Sequence, residues 1–316
     1  MSCTIIRPKD RAEWLKHRES GIGSSEVGTI LGLNPFESPY QLWLRKRGQI
    51  PPKEENFAMR AGHYLEDAVS LFFHDATGYE IIKSSSTDWM AVDNDHPYMR
   101  VSPDRTYWLS SHRSPSNKGI LECKTTQLDI SEDDVPSHWY CQLQYQLGVA
   151  GLNEGSLAWL TAGRKFGYRT FPFDKEFFAW IEEEVTKFWK DNIQGGIEPS
   201  AIRVEDILLK NPREREGKTV IASPEIIEQC NELQSVKSSI ASLESRKKEL
   251  EGEIKFAMSD AESLVRPDSM KTLCTWRTTK DKQKFNEKKF ASEHADLYSS
   301  YMVSVPGTRT FLLKKQ

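Results

Sequence analysis

The strand at the centre of the predicted fold lies in residues 102–126, SPDRTYWLSSHRSPSNKGILECKTT. In its last part, GILECKTT, side chains alternate between the two faces of a strand, so Glu122 and Lys124 share one face. Leu121 and Cys123 share the opposite, apolar face. Asp104 ends the strand before it, and pairing of the two strands brings Asp104 close to Glu122 at the sheet edge. Charged side chains in an otherwise apolar strand need partners or a chemical role.

These three charged residues match the chemistry of metal-assisted phosphodiester hydrolysis. Two carboxylates with a nearby backbone carbonyl offer the hard oxygen ligands that suit Mg²⁺ or Mn²⁺, and a metal relieves the repulsion between the acids. Lys124 then either holds or deprotonates the attacking water, or it neutralises charge on a phosphorane-like transition state. The alternative is an ordinary ion pair on an exposed strand, which contributes about 0–1 kcal/mol.

The surrounding segments alternate between helix and strand patterns, which predicts an α/β or α+β fold with a central mixed sheet flanked by helices. Ser24 or Ser25 is the expected N-cap of a helix after GIGSS, and a longer helix over residues 58–78 closes at Gly78. The apolar stripe that predicts its buried face consists of Tyr64, Leu65, Ala68, Leu71 and Phe72. Residues 79–95 and 156–173 have strand patterns, the latter with a hairpin turn near Gly163.

Five motifs in one order resemble the PD-(D/E)XK nucleases and, more narrowly, the phage lambda exonuclease and YqaJ-type viral recombinase family. They span about residues 10–195 and read WLKHRESGIGSSEVGTILG, GHYLEDAVSLFF, MRVSPDRTYW, GILECKTT and HWYCQLQYQLGVAG. The resemblance implies a restriction-endonuclease-like core.

By this resemblance Asp104 and Glu122 are metal ligands, together with the backbone carbonyl of Cys123, and Lys124 is the catalytic lysine. Glu66 is the helix acid that supports the metals, directly or through water. The implied cofactor is Mg²⁺, with Mn²⁺ as a substitute.

The same resemblance implies a site for the terminal phosphate of DNA. Arg18 falls on the phosphate-binding arginine of the family, and a guanidinium suits a phosphate because it bonds in a bidentate manner. Ser25 lies at a helix entrance, where amide groups and the helix dipole favour an anion. Ser102 is expected on the same side as the catalytic acids. Gln144 and Gln142 are expected around the catalytic face, although a polar stripe on a surface helix has the same pattern.

The implied activity is a Mg²⁺-dependent 5′→3′ exonuclease. It resects double-stranded DNA ends in phage-type recombination and leaves a 3′ single strand for a single-strand annealing protein. The family's ring-shaped trimer would make it processive. An endonuclease or a nuclease of opposite polarity on the same core is one alternative, because a fold does not fix polarity. A non-catalytic DNA-binding module is another, against which the retention of all four catalytic residues argues. Arg105 departs from the family, which usually has Gly there.

Composition limits the other possibilities. The chain has 316 residues, 28% of them charged, and its net charge is −3. Five scattered cysteines without a CxxC pair argue against an iron–sulfur cluster or a zinc site and favour a reducing compartment. The N-terminal sequence lacks a signal-peptide pattern, and no apolar run is long enough to span a membrane. We therefore expect a cytoplasmic protein of a bacterial host or prophage.

The predicted organisation is an exonuclease core over 1–200, a linker over 201–222, a long helix over 223–265 and a basic α+β module over 266–316. Residues 271–316 contain ten basic and four acidic side chains, so they carry +6, which leaves −9 for the rest. Their strand, helix and strand patterns include lysines that either contact the DNA backbone or are solvated edge-strand lysines. The long helix has heptad spacing that either packs on the nuclease body or pairs subunits. Its apolar positions are Ile226, Leu233, Val236, Ile240, Leu243, Leu250 and Ile254, interrupted by Lys247.

Overall fold

The computed structural model describes residues 2–82, 87–305 and 307–314. The chain divides into two compact units, Met1–Lys210 and Asn211–Gln316. None of the helices in the described part of the chain combines the length and the apolar content that crossing a membrane requires. Residues 83–86, which belong to the strand pattern predicted over 79–95, lie outside the described residues.

The elements of the first unit are, in chain order, β1 (Cys3–Ile6), α1 (Arg11–Glu19), β2 (Ile22–Gly23), α2 (Ser24–Ile30), α3 (Pro39–Lys46), α4 (Phe57–Thr77), β3 (Glu80–Ile82), β4 (Met90–Asp93), β5 (Met99–Val101), β6 (Arg105–Trp108), β7 (Lys118–Thr126), α5 (Ser137–Ala150), β8 (Glu154–Thr161), β9 (Lys165–Pro172), α6 (Lys175–Lys187) and α7 (Val204–Lys210). A π-helical turn, Phe188–Gln194, extends α6.

A five-stranded sheet forms the centre of this unit, in the order β3-β6-β7-β8-β9. Strand β7 pairs with β8 in parallel, and the other neighbours are antiparallel, so the sheet is mixed. Helices cover both of its faces, which confirms the predicted α/β class. The predicted pairing of the first two strands of the opening segment is also present, with Arg105 opposite Leu121.

The two faces of β7 pack against different helices. Ile120 lies in an apolar cluster with α5, whereas Leu121 and Cys123 lie in a cluster with Val69 and Phe73 of α4. Because side chains alternate along a strand, Glu122 and Lys124 lie on the α5 face.

The buried face of α4 differs from the prediction. Tyr64 and Leu71 of the predicted stripe are 79% and 61% exposed, whereas the helix buries Val69, Ser70 and Phe73. The helix is apolar on more than one side, so periodicity alone did not locate the side that meets the sheet. The observed rotation brings Glu66 to the partly buried side, where its side chain is 16% exposed.

A second sheet, in the order β1-β4-β5-β2, lies in the same unit. A large apolar cluster joins residues of this sheet to α2, α3, α5 and α6. Tyr145 of α5 is fully buried there and donates its hydroxyl hydrogen to the carbonyl of Ile22 at 3.0 Å. These contacts fix the short strand β2, and with it the start of α2, against α5.

The linker predicted over 201–222 is wrong in its first part, because residues 204–210 form α7 and belong to the first unit. Asp206 is fully buried, and it accepts hydrogen bonds from Ser38 Oγ at 2.6 Å and from Gln41 Nε2 at 2.9 Å. The large apolar side chains of this segment are 42–70% exposed, so the residue that anchors it is a buried carboxylate and not an apolar side chain.

The second unit contains α8 (Pro224–Met258), β10 (Ser263–Val265), β11 (Thr272–Thr275), α9 (Glu287–Glu293) and α10 (Ala295–Tyr301). Strands β10 and β11 form an antiparallel hairpin. The strand predicted near the C-terminus is absent from described residues 307–314, where the chain is irregular.

Candidate active site

The carboxylate of Glu122 is held by three donors on the α5 face of the central sheet. Its Oε1 accepts from Gln142 Nε2 at 2.5 Å and from Lys124 Nζ at 2.7 Å. Its Oε2 accepts from Gln146 Nε2 at 2.7 Å. Glu122 is only 3% exposed, so these bonds replace the water that its charge loses on burial.

Lys124 lies between Glu122 and Gln142. Its Nζ also donates to Gln142 Oε1 at 2.8 Å. Burial by itself would lower the pKa of Lys124, but the carboxylates of Glu122 and Asp104 outweigh it and raise the pKa above its usual value. The ammonium group is therefore charged near neutral pH. A charged lysine favours the charge-neutralising role over that of a base.

Asp104 lies beside the backbone of Cys123, whose N–H donates to Asp104 Oδ2 at 2.8 Å. Burial raises the pKa of Asp104 well above its usual value, and the nearby carboxylates of Glu122 and Glu66 raise it further. Both neighbouring acids thus make it costlier for Asp104 to be charged. A cation among them would reverse this effect, and the donors are all oxygens, so the site fits a hard divalent ion.

The structure does not gather Glu66 into one ligand set with the other two acids. Among the described residues, no three His, Cys, Asp or Glu side chains converge as a metal site. Glu66 Oε1 lies 2.9 Å from His63 Nδ1, and its Oε2 lies 3.8 Å from Arg105 Nη1. Arg105 also binds Asp67 at 2.7 Å, so the residue that replaces the family's glycine neutralises the acids on α4.

Arg18 and Ser25 adjoin each other, with Arg18 Nη2 donating to Ser25 Oγ at 2.9 Å. The guanidinium lies over the ring of Trp14, 5.1 Å from its centroid. Trp14 Nε1 in turn donates to Ser102 Oγ at 3.1 Å. Trp14, which the sequence did not single out, therefore links the predicted phosphate-binding residues to the strand connection that leads into Asp104.

The start of α2 differs from the prediction, because Gly23 is the N-cap and both serines lie inside the helix. Glu26 Oε2 accepts from the N–H of Gly23 at 2.9 Å, which is the bond that the third helical residue makes back to the N-cap in a capping box. The two hydroxyls are consequently free for other bonds. Ser25 meets the arginine, and Ser24 Oγ accepts from Gln146 Nε2 at 3.1 Å.

Glu26 also holds together the basic residues behind this helix. It is 4% exposed and lies 2.8 Å from Lys46 Nζ and 3.2 Å from Arg45 Nη1. Burial would raise the pKa of Glu26, but Lys46, Arg18 and Arg45 outweigh it and lower the pKa below its usual value.

Gln144 does not lie at the site, contrary to the expectation for it. Its amide donates to the carbonyl of Pro172 at 3.0 Å and accepts from the N–H of Asp174 at 2.9 Å, so it anchors the segment before α6. Successive residues are 100° apart on a helix, so Gln142 and Gln144 point in different directions, whereas Gln142 and Gln146 share a face. The i, i+4 spacing was the signal in the sequence that could have identified Gln146.

Comparison with known proteins bears on the family of the chain. The model of the YqaJ-like viral recombinase domain matches residues 13–153 of the chain. The protein YqaJ of Bacillus subtilis strain 168 is 32% identical to it over 263 residues, which cover 80% of this chain and 79% of YqaJ.

Two solved exonucleases have similar folds. An alkaline exonuclease, LHK-Exo, from Laribacter hongkongensis is 16% identical, with a TM-score of 0.46 over 63% of this chain and 96% of that one. A phage-related exonuclease from Haemophilus somnus 129PT is 13% identical, with a TM-score of 0.41 over 56% of this chain and 96% of that one.

Proposed function

Because the chain belongs to the YqaJ-like viral recombinase family, we propose that it is a metal-dependent deoxyribonuclease that digests double-stranded DNA from its 5′ ends. The observation that carries this proposal is the meeting of Asp104, Glu122 and Lys124 at one end of the central strand pair. A carboxylate and an amide hold the charged lysine in place. A fixed position matters because a preorganised charge stabilises a phosphate transition state without reorganisation.

Asp104 and Glu122 would hold Mg²⁺, with Mn²⁺ as a substitute because it prefers the same oxygen ligands. When bound, the ion would polarise the scissile phosphate and acidify a water molecule. Gln142 and Gln146 fix the carboxylate of Glu122, so this ligand needs no reorganisation. Lys124 places its positive charge where a phosphate oxygen gains negative charge in the transition state.

The 5′ polarity rests on Arg18 and Ser25. A guanidinium and a hydroxyl 2.9 Å apart can both donate to one terminal phosphate. The ring of Trp14 packs against the guanidinium of Arg18, and its indole N–H donates to Ser102 Oγ. Digestion from the 5′ end leaves a 3′ single strand, so the partner that we propose is a single-strand annealing protein.

The test is digestion of a linear duplex labelled at one end, with a 5′ phosphate or a 5′ hydroxyl, in Mg²⁺ or EDTA. We expect Mg²⁺-dependent loss of the 5′ strand that prefers the phosphate, spares closed circular DNA and disappears in Lys124→Ala. Arg18→Ala should abolish the preference for phosphate, whereas Lys16→Ala, an exposed lysine on the same helix, should retain it.

Each other outcome excludes part of the proposal. Cutting of circular DNA would identify an endonuclease, and loss of the 3′ strand would reverse the polarity. If the folded protein cuts no substrate with either Mg²⁺ or Mn²⁺, the nuclease proposal is wrong and the remaining function is that of a DNA-binding module.

A further inference from the structure

One face of helix α5 lines the candidate active site over two turns. Residues four apart share a face of a helix, and the row that faces the site consists of His138, Gln142 and Gln146. Gln146 donates to Glu122 Oε2. Gln142 donates to Glu122 Oε1 and accepts from Lys124 Nζ. The row therefore follows β7 from Glu122 towards Lys124, and His138 is its outermost member.

Helix α2 fixes the position of His138 from the other side. Gly28 of α2 has no side chain, and a Cβ at this position would lie 2.8 Å from His138 Cβ and 3.4 Å from its Cα. The two helices therefore approach each other closely at this point. Because α2 also meets α5 where Ser24 accepts from Gln146, the row lies between α2 and the central sheet.

The imidazole of His138 has an unused hydrogen-bonding capacity. No hydrogen bond joins either ring nitrogen to another residue in the described part of the chain, and the side chain is partly exposed. Burial lowers the pKa of His138, and the positive charge of Lys124 lowers it further. The ring is therefore neutral at neutral pH and offers one N–H donor. A donor beside a charged lysine suits an oxygen of a phosphate.

The order of residues along α2 indicates which phosphate this is. Arg18 and Ser25, to which we assign the terminal phosphate, meet at the start of α2. Gly28, and with it His138, lies about one helical turn farther along. Lys124 lies between these two levels, because it bonds the middle residue of the row. A strand with its terminal phosphate at Arg18 and its scissile phosphate at Lys124 therefore continues towards His138.

We propose that His138 binds the DNA phosphate that follows the scissile one on the strand being digested. The proposal rests on the proposed nuclease function, because the terminal-phosphate site and Lys124 define the direction of the strand. With this contact the strand is bound on both sides of the scissile bond. Binding on both sides would hold that bond in position for attack.

The first test measures release of the first nucleotide from a duplex with a 5′ phosphate in Mg²⁺. His138→Leu keeps a side chain of similar size without the donor, and it should lower kcat/KM by about 10-fold or more. His138→Asn and His138→Gln place an amide nitrogen near the positions of Nδ1 and Nε2, and one of them should recover most of the loss.

The control for this test is Ser137→Ala, at the exposed neighbouring position on α5, which should cleave as the wild type does. Equal rates for wild type and His138→Leu would overturn the proposal. Failure of both amide variants to recover the rate would also overturn it, because the residue would then act through packing.

The second test identifies the phosphate. One duplex carries a neutral methylphosphonate at the second linkage from the 5′ end, and a control duplex carries it at the sixth. At the second linkage it should weaken binding of the wild type in EDTA and slow release of the first nucleotide in Mg²⁺, with little further effect on His138→Leu. At the sixth linkage it should affect both proteins equally. Equal effects of the second-linkage change on the two proteins would overturn the proposal.

Binding in EDTA, where no strand is cut, distinguishes this inference from the proposed function. If binding depends on the second linkage through His138 but no duplex is cut in Mg²⁺ or Mn²⁺, the nuclease activity is wrong and the contact to DNA remains. If the duplex is cut from its 5′ end without this dependence, only the contact is wrong.

Discussion

At the scale of single residues, the site depends on how Glu122 is held. Gln146 donates to its Oε2 at 2.7 Å, and both side chains are almost fully buried. Gln146→Ala removes this donor and leaves a buried carboxylate oxygen without its bond, which costs about 1–3 kcal/mol. We expect the rate of DNA cleavage to fall by about 10-fold or more in steady-state assays, with a smaller change in the affinity for DNA.

Gln144 supplies the matched control for this variant, because it is equally buried on the same helix but bonds the segment before α6. Gln144→Ala should lower the free energy of unfolding and leave the cleavage rate of the folded protein nearly unchanged. Equal losses of cleavage in the two variants, measured on folded protein, would contradict the role assigned to Gln146.

A second prediction at this scale concerns metal binding without DNA. Burial and the nearby acids raise the pKa of Asp104, so a divalent ion should stabilise the folded protein. Addition of Mg²⁺ to protein treated with EDTA should raise the melting temperature by about 3–8 °C at saturating concentration.

Asp104→Asn should melt at a higher temperature than the wild type in EDTA, because it removes a buried charge, and should not respond to Mg²⁺. Asp129→Asn, at an exposed acid, should respond as the wild type does. An unchanged response of Asp104→Asn to Mg²⁺ would show that the ion binds elsewhere.

The residues that could be predicted from the sequence are those on the strand. A period of two assigns Glu122 and Lys124 to one face without any knowledge of the fold. Side chains on helices were harder, because their direction depends on which side of the helix meets the sheet. The sequence pattern therefore predicts Gln144 at the site, where the structure has Gln146, and it does not distinguish Trp14 from a core residue.

At the scale of elements, α2 is held by one buried carboxylate. Glu26 caps the helix through Gly23 and binds Lys46 and Arg45 of α3. Glu26→Gln would leave the buried ammonium of Lys46 without its counter-charge, so we expect a loss of about 3 kcal/mol of unfolding free energy at pH 7 in urea titrations.

The loss should depend on pH in a defined direction. The pKa of Glu26 is lowered in the folded state, so its contribution is complete above the unfolded value of 4.5 and is lost as the pH falls through the folded value. The difference in stability between wild type and Glu26→Gln should therefore shrink below about pH 4.5. Glu19→Gln, at an exposed position on α1, should show neither effect. A difference that is constant with pH would mean that packing, not charge, dominates.

The existence of most elements could be read from the sequence, but their exact starts and buried faces could not. A serine before an apolar run predicts an N-cap, yet Gly23 holds this position and both serines lie inside α2, where they bond other partners. Helix α4 is apolar on more than one side, so its stripe was assigned to the wrong face. Contacts distant in sequence outweigh the local preference in both places, since α4 packs on the sheet, and β2, which leads into α2, is held by β5 and Tyr145.

At the scale of the whole molecule, the boundary between the two units was the hardest feature to predict. Composition places a linker from residue 201, but α7 belongs to the first unit through the buried carboxylate of Asp206. Arg203 adds hydrogen bonds to the carbonyls of Asn34 and Pro35. Polar anchors of this kind have no apolar periodicity, so the sequence pattern cannot distinguish them from a solvated linker.

The position of this boundary leads to a truncation experiment. A fragment of residues 1–210 retains every contact of Asp206, whereas residues 1–200 leave Ser38 and Gln41 without their acceptor. We expect 1–210 to unfold cooperatively and to cleave DNA, because it retains the first unit and its candidate active site. Residues 1–200 should be less stable by about 2–4 kcal/mol, since a hydrogen bond to a charged group contributes about 1.5–3 kcal/mol.

Point variants of the full-length protein distinguish the effect of losing the Asp206 carboxylate from the effect of removing residues 201–210. Asp206→Ala should reproduce most of the destabilisation in urea titrations, while Glu205→Ala, the exposed neighbour on the same helix, should not. If 1–200 were as stable as 1–210, and Asp206→Ala were neutral, residues 201–210 would behave as the linker that composition suggests. Loss in both would show that the first unit ends at its seventh helix, at a position that only a buried polar contact defines.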